Sequence, residues 1–261
     1  MVGDIVGRPG RKILSHILPK LIKEKNLDLV IVNGENAAGG FGLTAETYLE
    51  LQKAGTNVVT SGNHIWDKKD VAEILDSEPR LLRPANYPVG VPGRGSLVVD
   101  AKGVKVGVIN LAGRIFMEAI DCPFRKAKEI VEEMRSKTKL IFVDMHAEAT
   151  SEKEALGYYL DGLVTAVVGT HTHVQTADER ILQGGTAYQT DLGMTGPRDS
   201  VLGVKKEIII AKFLEATPKR FEIASGAVWF CGLLIEADNT TGKALAIKRL
   251  RLEWDGNDLP W

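Results

Sequence analysis

The chain has 261 residues, of which 44% are hydrophobic and 26% are charged. This composition is ordinary for a globular protein with a substantial core, and without a linker or an internal repeat we expect a single domain over residues 1–261. The formal net charge of −1 at pH 7 excludes a global electrostatic attraction to nucleic acid or to an anionic membrane.

Cysteine usage and hydropathy indicate the compartment. Cys122 and Cys231 are far apart and in no metal-binding spacing, so we expect free thiols in a reducing environment. No apolar run approaches the ~20 residues needed to cross a bilayer. The N-terminus also lacks the basic and then apolar order of a signal peptide. We therefore expect a cytoplasmic protein that makes no membrane contact.

The first part of the chain alternates strands with amphipathic helices. Residues 1–11 look like a strand end followed by a glycine-rich turn, and we expect the given sequence to start inside this strand. A proline- and glycine-rich connector follows over 81–95. The apolar spacing predicts helices over 12–25, from Thr44 through Lys53 and over 68–75, and strands over 27–32 and 57–60.

Hairpins become more frequent in the second part of the chain. The pattern predicts a hairpin of strands 96–101 and 104–111, helices over 124–136 and 151–159, strands over 140–143 and 163–168, a hairpin-like pair over 179–182 and 186–189, and antiparallel strands over 221–236 and 244–253. Residues 205–213 fit a helix or a strand. The whole pattern predicts an α/β architecture with two packed sheets or one large mixed sheet.

Two neighbouring histidines follow the strand predicted over 163–168. His171 and His173 are separated by one residue, and in an extended segment such residues project to the same face. Their imidazoles are then side by side, as a metal site requires, although two exposed loop histidines have the same spacing. His16, in contrast, lies among the apolar residues of the first helix and is interpreted as an ordinary helix-face histidine.

Metal-competent side chains stand at the end of every predicted buried strand of the α/β part. In such folds ligands gather at the carboxyl ends of strands. A set of carboxylates, amide oxygens and imidazoles without thiolates suits Fe, Mn, Zn, Co or Ni. The side chains in question are Asp4, Glu35, Asn36, Asn63, His64, His146, His171 and His173.

The number of these donors favours two ions. One ion binds about six ligands, so some of these donors would have no metal to bind. Two ions ~3.5–4 Å apart that share a carboxylate use all of the donors. Such a pair lowers the pKa of a shared water and clamps the attacking and leaving oxygens of a phosphoryl group. The donor set therefore predicts a phosphate-ester hydrolase.

The order of these motifs resembles that of the calcineurin-like metallophosphoesterases. It is carried by Gly3-Asp4, Gly34-Glu35-Asn36, Gly62-Asn63-His64, His146 and the stretch 169–173, Gly-Thr-His-Thr-His. A closer resemblance, to the bacterial YmdB-type branch, spans nearly the whole chain. It is carried by NGENAA (33–38), GNHIWD (62–67), RPAN (83–86), HAEATSE (146–152), GTHTHVQTAD (169–178) and TDLGMTGP (190–197).

This resemblance implies a four-layer α/β/β/α sandwich of two mixed sheets, with a dinuclear site of iron or, alternatively, manganese. It further implies a phosphodiesterase that acts on a small phosphodiester or nucleotide, including 2′,3′-cyclic nucleotides. Carried over position by position, one ion is held by Asp4, Asn36 and His173, the other by Asn63, His146 and His171. Glu35 then bridges the two ions, and His64 is the general acid for the leaving oxygen.

Three positions depart from the broad superfamily pattern. The usual Asp-x-His is here Asp4-Ile5-Val6, so Asn36 must complete the first ion's ligands. The usual bridging aspartate is Glu35, which is one methylene longer. The acid that normally follows Asn-His and orients the histidine is replaced by Ile65, so Asp67 or a backbone carbonyl must orient His64.

Several side-chain roles stay open in the sequence. Arg8 and Arg11 flank the first loop and either bind a substrate phosphate or are solvated or paired. Trp66 either stacks on a base or packs in the core. Glu148 either supports His146 from behind or belongs to the start of the next helix, with Thr150 or Ser151 as the cap.

The function also has alternatives. A phosphomonoesterase or phosphoprotein phosphatase uses the same site chemistry, and a regulatory or scaffold protein uses metals only to stabilise a surface. The presence of His64 argues against the scaffold, because a structural metal site needs no acid. Metal identity, nucleotide preference and the formation of a homo-oligomer are not fixed by the sequence.

Overall fold

The structure, a computed structural model, describes residues 1–255. The strands are β1 Asp4–Ile5, β2 Ile31–Asn33, β3 Val58–Thr60, β4 Ser96–Ala101, β5 Val104–Ala112, β6 Ile141–His146, β7 Ala166–Thr170, β8 Arg180–Ile181, β9 Ala187–Gln189, β10 Met194–Pro197, β11 Val228–Ala237 and β12 Ala244–Trp254. The helices are α1 Gly7–Lys25, α2 Ala45–Lys53, α3 Val71–Ser77, α4 Pro123–Met134, α5 Thr150–Tyr159 and α6 Lys206–Glu215, with a 3₁₀-helix over Asn63–Asp67. The single domain expected over 1–261 includes residues 256–261, which lie outside the described residues.

One mixed sheet combines strands from both ends of the chain. β1 pairs in parallel with β10, which is antiparallel to β11, and β11 is antiparallel to β12. β2 and β3 form a parallel pair. Val2, just before β1, bridges to Val32 of β2 and to Gly232 of β11, and so joins the two groups. The first strand is therefore flanked by partners that are distant in sequence.

The second sheet has the strand order β4-β5-β6-β7-β9-β8. Its central strands β5, β6, β7 and β9 are parallel, whereas the outer pairs β4–β5 and β8–β9 are antiparallel. The predicted hairpin over 96–101 and 104–111 is confirmed as β4 and β5. Two mixed sheets are thus present, one of the two arrangements that the sequence predicts.

The hydrophobic core forms separate layers between helices and sheets. Leu14 of α1 packs with the first sheet, and Leu156 of α5 packs with the second. Val58 of β3 and Val108 of β5 belong to one cluster that fills the space between the sheets. The order helix, sheet, sheet, helix confirms the four-layer α/β/β/α sandwich.

Helix α1 begins at Gly7 rather than at residue 12, because the predicted glycine-rich turn is the first turn of the helix. The backbone N–H of Gly10 donates to the carbonyl of Val6 at 3.1 Å. Pro9 is tolerated there, since N–H groups in a first turn have no partner within the helix. The preceding strand is correspondingly short.

Other boundaries differ at irregular segments. β2 begins at Ile31 rather than at residue 27, because Asn26 ends α1 with a left-handed φ of 47° and Leu27 still donates to that helix. The helix predicted over 68–75 is α3, which begins at Val71 and ends at Ser77. The sequence did not predict β10, since its Gly196-Pro197 is typical of a turn. The ambiguous segment 205–213 is helical, and β11 begins at Val228 rather than at 221.

The carboxyl ends of strands from both sheets meet at one edge. Asn33, at the end of β2, donates from Nδ2 to Asp144 Oδ2 of β6 over 3.1 Å. Thr60, at the end of β3, donates its hydroxyl to the same oxygen at 2.5 Å. These buried bonds tie the two sheets together directly behind the predicted metal ligands.

Candidate metal centre

All seven residues that the resemblance assigns as metal ligands lie at this shared edge. Asp4 lies in the two-residue strand β1, and each of the others lies at the end of a strand or in the loop or 3₁₀-helix that follows it. Four of them are almost fully buried: Asp4, Glu35, Asn36 and His146. The structure thus brings together Asp4, Glu35, Asn36, Asn63, His146, His171 and His173 from segments that are up to 169 positions apart in the sequence.

Glu35 is common to two groups of side chains with metal-ligand geometry. One group is Glu35, His146 and His171, and the other is Asp4, Glu35 and His173. Within each group the ligand atoms lie within 4.8 Å of one another. A carboxylate shared by two such groups occupies the position that a bridging ligand requires.

The two asparagines complete one group each. Asn63 Oδ1 lies 3.1 Å from His146 Nε2, in the first group. Asn36 Oδ1 lies 3.1 Å from His173 Nε2, in the second. The amide of Asn36 is oriented by its Nδ2, which donates to the carbonyl of Gly40 at 3.0 Å, so its oxygen faces the histidine.

Hydrogen bonds on the far side of each imidazole fix which nitrogen faces the centre. The Thr170 hydroxyl donates to Asp144 Oδ1 at 2.7 Å, so its oxygen accepts from His146 Nδ1 at 3.0 Å. This hydrogen bond through Nδ1 leaves Nε2 as the nitrogen that faces the site. Such carboxylate-backed histidines are the usual arrangement of metal ligands.

The other two histidines follow the same rule. His173 Nδ1 donates to the carbonyl of Leu202 at 3.1 Å, which leaves Nε2 as the inward nitrogen. His171 Nε2 lies 3.2 Å from Glu148 Oε2, which leaves Nδ1 as the inward nitrogen. Glu148 therefore contacts His171 rather than His146. Its helix has Ala149 as the N-cap, without a side-chain cap, so capping by Thr150 or Ser151 is wrong.

The packing of these inward atoms requires positive charge between them. His146 Nε2 lies 3.1 Å from Glu35 Oε1, 3.1 Å from Asn63 Oδ1 and 3.0 Å from His171 Nδ1. All four atoms are lone-pair donors in their neutral or anionic forms, and one proton satisfies only one such contact. A metal ion satisfies all of them, and the oxygen and nitrogen donors suit a first-row ion.

Two further observations support a metal-binding cavity. Asp4 Oδ1 is buried and has no hydrogen-bond partner within residues 1–255, which is costly unless a cation is bound. An ideal Cβ built on Gly62 lies only 2.2 Å from Glu35 Oε2 and from His146 Nε2. The glycine thus leaves open the space on which these donors converge. The residues fit the metal pair that the resemblance implies.

The electrostatics of the site agree with this interpretation. Burial alone raises the pKa of Glu35, but the charge of His146 and its hydrogen bond outweigh burial and lower the pKa to about 2. Burial lowers the pKa of His146, but Glu35 outweighs it and raises the pKa to about 9. Burial, together with His146, lowers the pKa of His171 to about 3. The buried carboxylates therefore favour one positive charge at this point.

His64 lies next to the centre but outside both ligand groups. Its backbone N–H donates to Glu35 Oε2 at 3.3 Å, while its ring is partly exposed. Its Nδ1 lies 2.8 Å from Asp67 Oδ2, one turn further along the 3₁₀-helix. Of the two groups that the sequence offered for orienting His64, the structure shows Asp67.

Two of the three remaining sequence candidates, Arg11 and Trp66, have structural partners. Arg11 pairs with Glu50 and donates to the carbonyl of Ala37. This favours a paired arginine over one that binds a substrate phosphate. Trp66 packs against the core and meets Tyr87 edge-on at 5.5 Å, which favours core packing over base stacking. Arg8 is exposed.

His16 stacks on Trp254 at 4.8 Å, away from the metal centre. It thus has the ring partner of an ordinary helix-face histidine, as the sequence indicates.

Sequence reasoning missed two buried polar groups behind the site. Asp144 is two residues before His146 on β6, so the alternation of strand faces places it beside the ligand and gives a usable signal. The buried pair of Lys153 and Asp191, 2.7 Å apart, gives no local signal, because its members are 38 residues apart.

Known proteins are similar in sequence to this chain over almost its whole length. The family model described as YmdB-like protein matches residues 1–250. A Bacillus subtilis (strain 168) protein named 2′,3′-cyclic-nucleotide 2′-phosphodiesterase is 50% identical over 254 residues, which cover 97% of this chain and 96% of that protein.

Two solved structures have the same fold at substantial sequence identity. A hypothetical protein from Thermus thermophilus has a TM-score of 0.91 at 42% identity, and the match covers 97% of each chain. A novel phosphatase from Mycoplasma pneumoniae has a TM-score of 0.91 at 37% identity, covering 97% of this chain and 92% of that one. The resemblance stated from the motifs is confirmed, and the chain belongs to the YmdB-like protein family.

Proposed function

We propose that this protein is a metal-dependent phosphodiesterase that hydrolyses 2′,3′-cyclic nucleotides. The observation that carries the proposal is the position of Glu35 in both ligand groups, since a shared carboxylate is what a two-metal phosphoesterase site needs. The substrate class is supported by the name of the B. subtilis relative, which is half identical to this chain.

The ligand assignment is part of the proposal. One metal ion would be held by Asp4, Asn36 and His173 and the other by Asn63, His146 and His171, and Glu35 would contribute to both sites. Iron is the proposed metal and manganese the alternative, because oxygen and imidazole donors suit both. When bound, the two ions supply the acidity that makes a water nucleophilic and the positive charge that stabilises the phosphoryl oxygens.

The chain itself supplies the proton for the leaving group. Asp67 accepts a hydrogen bond from Nδ1 of His64, so the proton that leaves the ring departs from Nε2. We propose that His64 donates this proton to the departing 2′-oxygen as the oxygen of a water-derived hydroxide bonds to phosphorus and the P–O2′ bond breaks, which yields a 3′-nucleotide. Because His64 Nδ1 stays bonded to Asp67, the ring keeps one orientation through the step.

A phosphomonoesterase is the second candidate. It is favoured by the name of a Mycoplasma pneumoniae relative, a putative phosphatase/phosphodiesterase that is 37% identical to this chain. A monoester presents the same phosphoryl group to the same site, so the geometry of the metal ligands does not distinguish the two reactions.

We further propose one cytoplasmic domain. The pairing of β1 with β10 unites distant parts of the chain in one sheet, which supports a single unit. The two cysteines are free thiols, which suits a reducing compartment. Within residues 1–255 no helix is long and apolar enough to cross a membrane.

Metal analysis of the purified protein, combined with a substrate panel, tests the proposal. The panel contains adenosine 2′,3′-cyclic phosphate, a linear dinucleotide, and 2′- and 3′-AMP. We expect two first-row metal ions per chain and conversion of the cyclic nucleotide to 3′-AMP. Release of phosphate from the monoesters alone instead supports the phosphomonoesterase. A protein that binds no first-row metal contradicts both.

A further inference from the structure

One aromatic ring packs on His64 next to the metal centre, and a second ring packs on the first. Phe41 meets the imidazole of His64 edge-on, with ring centroids 5.0 Å apart and an interplanar angle of 68°. Phe221 lies nearly parallel to Phe41, at 6.3 Å and 22°. We call Phe41 and Phe221 together the aromatic wall.

The backbone holds Phe41 firmly against the 3₁₀-helix of His64. Phe41 lies between Gly40 and Gly42, whose φ angles of 97° and 72° are left-handed and favour glycine. An ideal Cβ on Gly42 lies 3.1 Å from the carbonyl oxygen of His64, so the loop touches that residue directly. The position of the Phe41 ring is therefore tied to the position of the proposed acid.

Phe221 comes from a distant segment that packs on the same loop. The side chain of Ile223 approaches Gly40 so closely that an ideal Cβ there lies 2.6 Å from its Cδ1. Lys212 of α6 places Nζ 4.7 Å from the centre of the Phe221 ring, a cation–π distance. Two loops and a helix thus assemble the wall.

Neither ring of the wall is part of the hydrophobic clusters within residues 1–255. Both side chains are half-buried, whereas the core rings Tyr48 and Phe230 are almost fully buried. An apolar surface of this kind beside a polar centre is typical of a ligand pocket. The wall therefore has the exposure and the location of a binding surface.

We propose that the aromatic wall binds the nucleobase of the substrate by stacking. This inference rests on the proposed function, in which the 2′-oxygen leaves beside His64. That oxygen is bonded to C2′, and the base is attached to the adjacent carbon C1′, so the base lies next to the leaving oxygen. A ring in contact with the acid can therefore reach that base. If the 3′-oxygen left instead, the base would lie one carbon further from the acid.

The chemistry of the aromatic wall also determines which part of the nucleobase it recognises. Phenyl rings offer a π-face without hydrogen-bond donors or acceptors, so they recognise every base by its face and no base by its edge. Purines present a larger face than pyrimidines, and we expect them to bind more tightly. The subsite therefore selects nucleotides over base-free phosphodiesters, with tolerance among the bases.

A pair of substrates isolates the contribution of the base. We compare adenosine 2′,3′-cyclic phosphate with the 2,3-cyclic phosphate of 1-O-methylribose, which keeps the reacting ring and lacks the base. In Phe41→Leu and in Phe221→Leu we expect the ratio of kcat/KM between the two substrates to fall about tenfold, mainly through KM. Phe41→Tyr keeps an aromatic face and retains the ratio.

Phe213→Leu is the matched control. Phe213 is 81% exposed on α6, has no ring contact with His64, and is substituted by the same residue. We expect it to keep the wild-type ratio. An equal loss on both substrates in Phe41→Leu means that the ring only supports His64, and it overturns the inference, as does an unchanged ratio.

A binding measurement separates this inference from the proposed function. Calorimetric titration with 3′-AMP and with ribose 3-phosphate needs no turnover. A wild-type preference for 3′-AMP that Phe41→Leu removes supports the subsite even if neither cyclic substrate is hydrolysed, in which case the proposed function fails alone. If the wild-type protein binds both ligands equally, the subsite is wrong whatever the activity.

Discussion

Lys153 Nζ lies 2.7 Å from Asp191 Oδ2, and both side chains are fully buried. The same oxygen of Asp191 accepts the backbone N–H of Thr172 at 3.1 Å, and Thr172 lies between His171 and His173. Both histidines have positive φ angles, 99° and 64°, which non-glycine residues rarely adopt. The buried ion pair thus anchors a strained loop that carries two of the proposed metal ligands.

Substitution Lys153→Met tests how much the buried pair contributes. It leaves the Asp191 carboxylate without its cation in the interior, and we expect the free energy of unfolding to fall by about 3–5 kcal/mol. Urea denaturation followed by circular dichroism measures the change. Lys137→Met, which breaks the exposed pair with Glu133, is the control and is expected to lower the free energy of unfolding much less, because solvent screens an exposed pair. Equal losses in the two variants contradict a special role for the buried pair.

Substitution Glu35→Gln tests the proposed bridge. The amide has no negative charge to share between two cations, so we expect both metal ions and the phosphodiesterase activity to be lost together. Metal content per chain, measured by mass spectrometry, is the readout. Glu50→Gln removes a carboxylate that pairs with Arg11 on the surface and is expected to keep both ions. Retention of two ions and full activity in Glu35→Gln rules out the bridge.

The sequence predicts most of what local patterns encode. Alternation and turn residues identify the hairpin of β4 and β5, and the donors at strand ends identify all the residues that the structure gathers around Glu35. The division of these donors into two sets comes from the family resemblance. In the structure the carboxylate and imidazole members of each set lie close to Glu35.

What the sequence does not predict depends on contacts between distant segments. Lys153 sits on a helix, where a lysine is normally solvated, and only the fold reveals that Asp191 faces it. Phe41 and Phe221 are likewise 180 positions apart, so nothing local shows that Phe221 stacks on the ring that contacts His64. Strand β10 is not predicted, because its Gly196-Pro197 is typical of a turn. Its pairing with β1 and β11 makes it a strand.

Substitution His64→Ala tests the proposed general acid. We expect both metal ions to remain, since His64 belongs to neither ligand group, while kcat for a cyclic nucleotide falls by about 10²–10⁴-fold. A diester with a p-nitrophenolate leaving group needs no proton and is expected to lose much less. Asp67→Asn keeps the His64 ring but weakens its orientation. We expect its kcat for a cyclic nucleotide to lie between those of the wild type and His64→Ala. The same loss for good and poor leaving groups contradicts the acid role.

The carboxylate of Asp178 provides a pH-dependent stability test. Burial alone raises its pKa, but hydrogen bonds from Thr176 and Thr190 outweigh burial and hold the pKa below its ordinary value of 3.8. A lowered pKa adds stability above pH 3.8 that is lost as the pH falls through the folded-state value. We expect Asp178→Asn to be less stable than wild type at neutral pH, and this difference in the free energy of unfolding to narrow as the pH falls below 3.8. A difference that is constant with pH contradicts the assignment.

Substitution Gly62→Ala tests whether the space between the donors is the metal-binding space. The added methyl group would lie 2.2 Å from Glu35 Oε2 and from His146 Nε2, at the point where the two side chains converge. We expect metal content to fall to background while the circular dichroism spectrum remains that of the wild type. Gly103→Ala adds the same methyl group in a surface turn with no atom within 4 Å, and it is expected to keep both ions. Full metal content in Gly62→Ala places the ions away from this cavity.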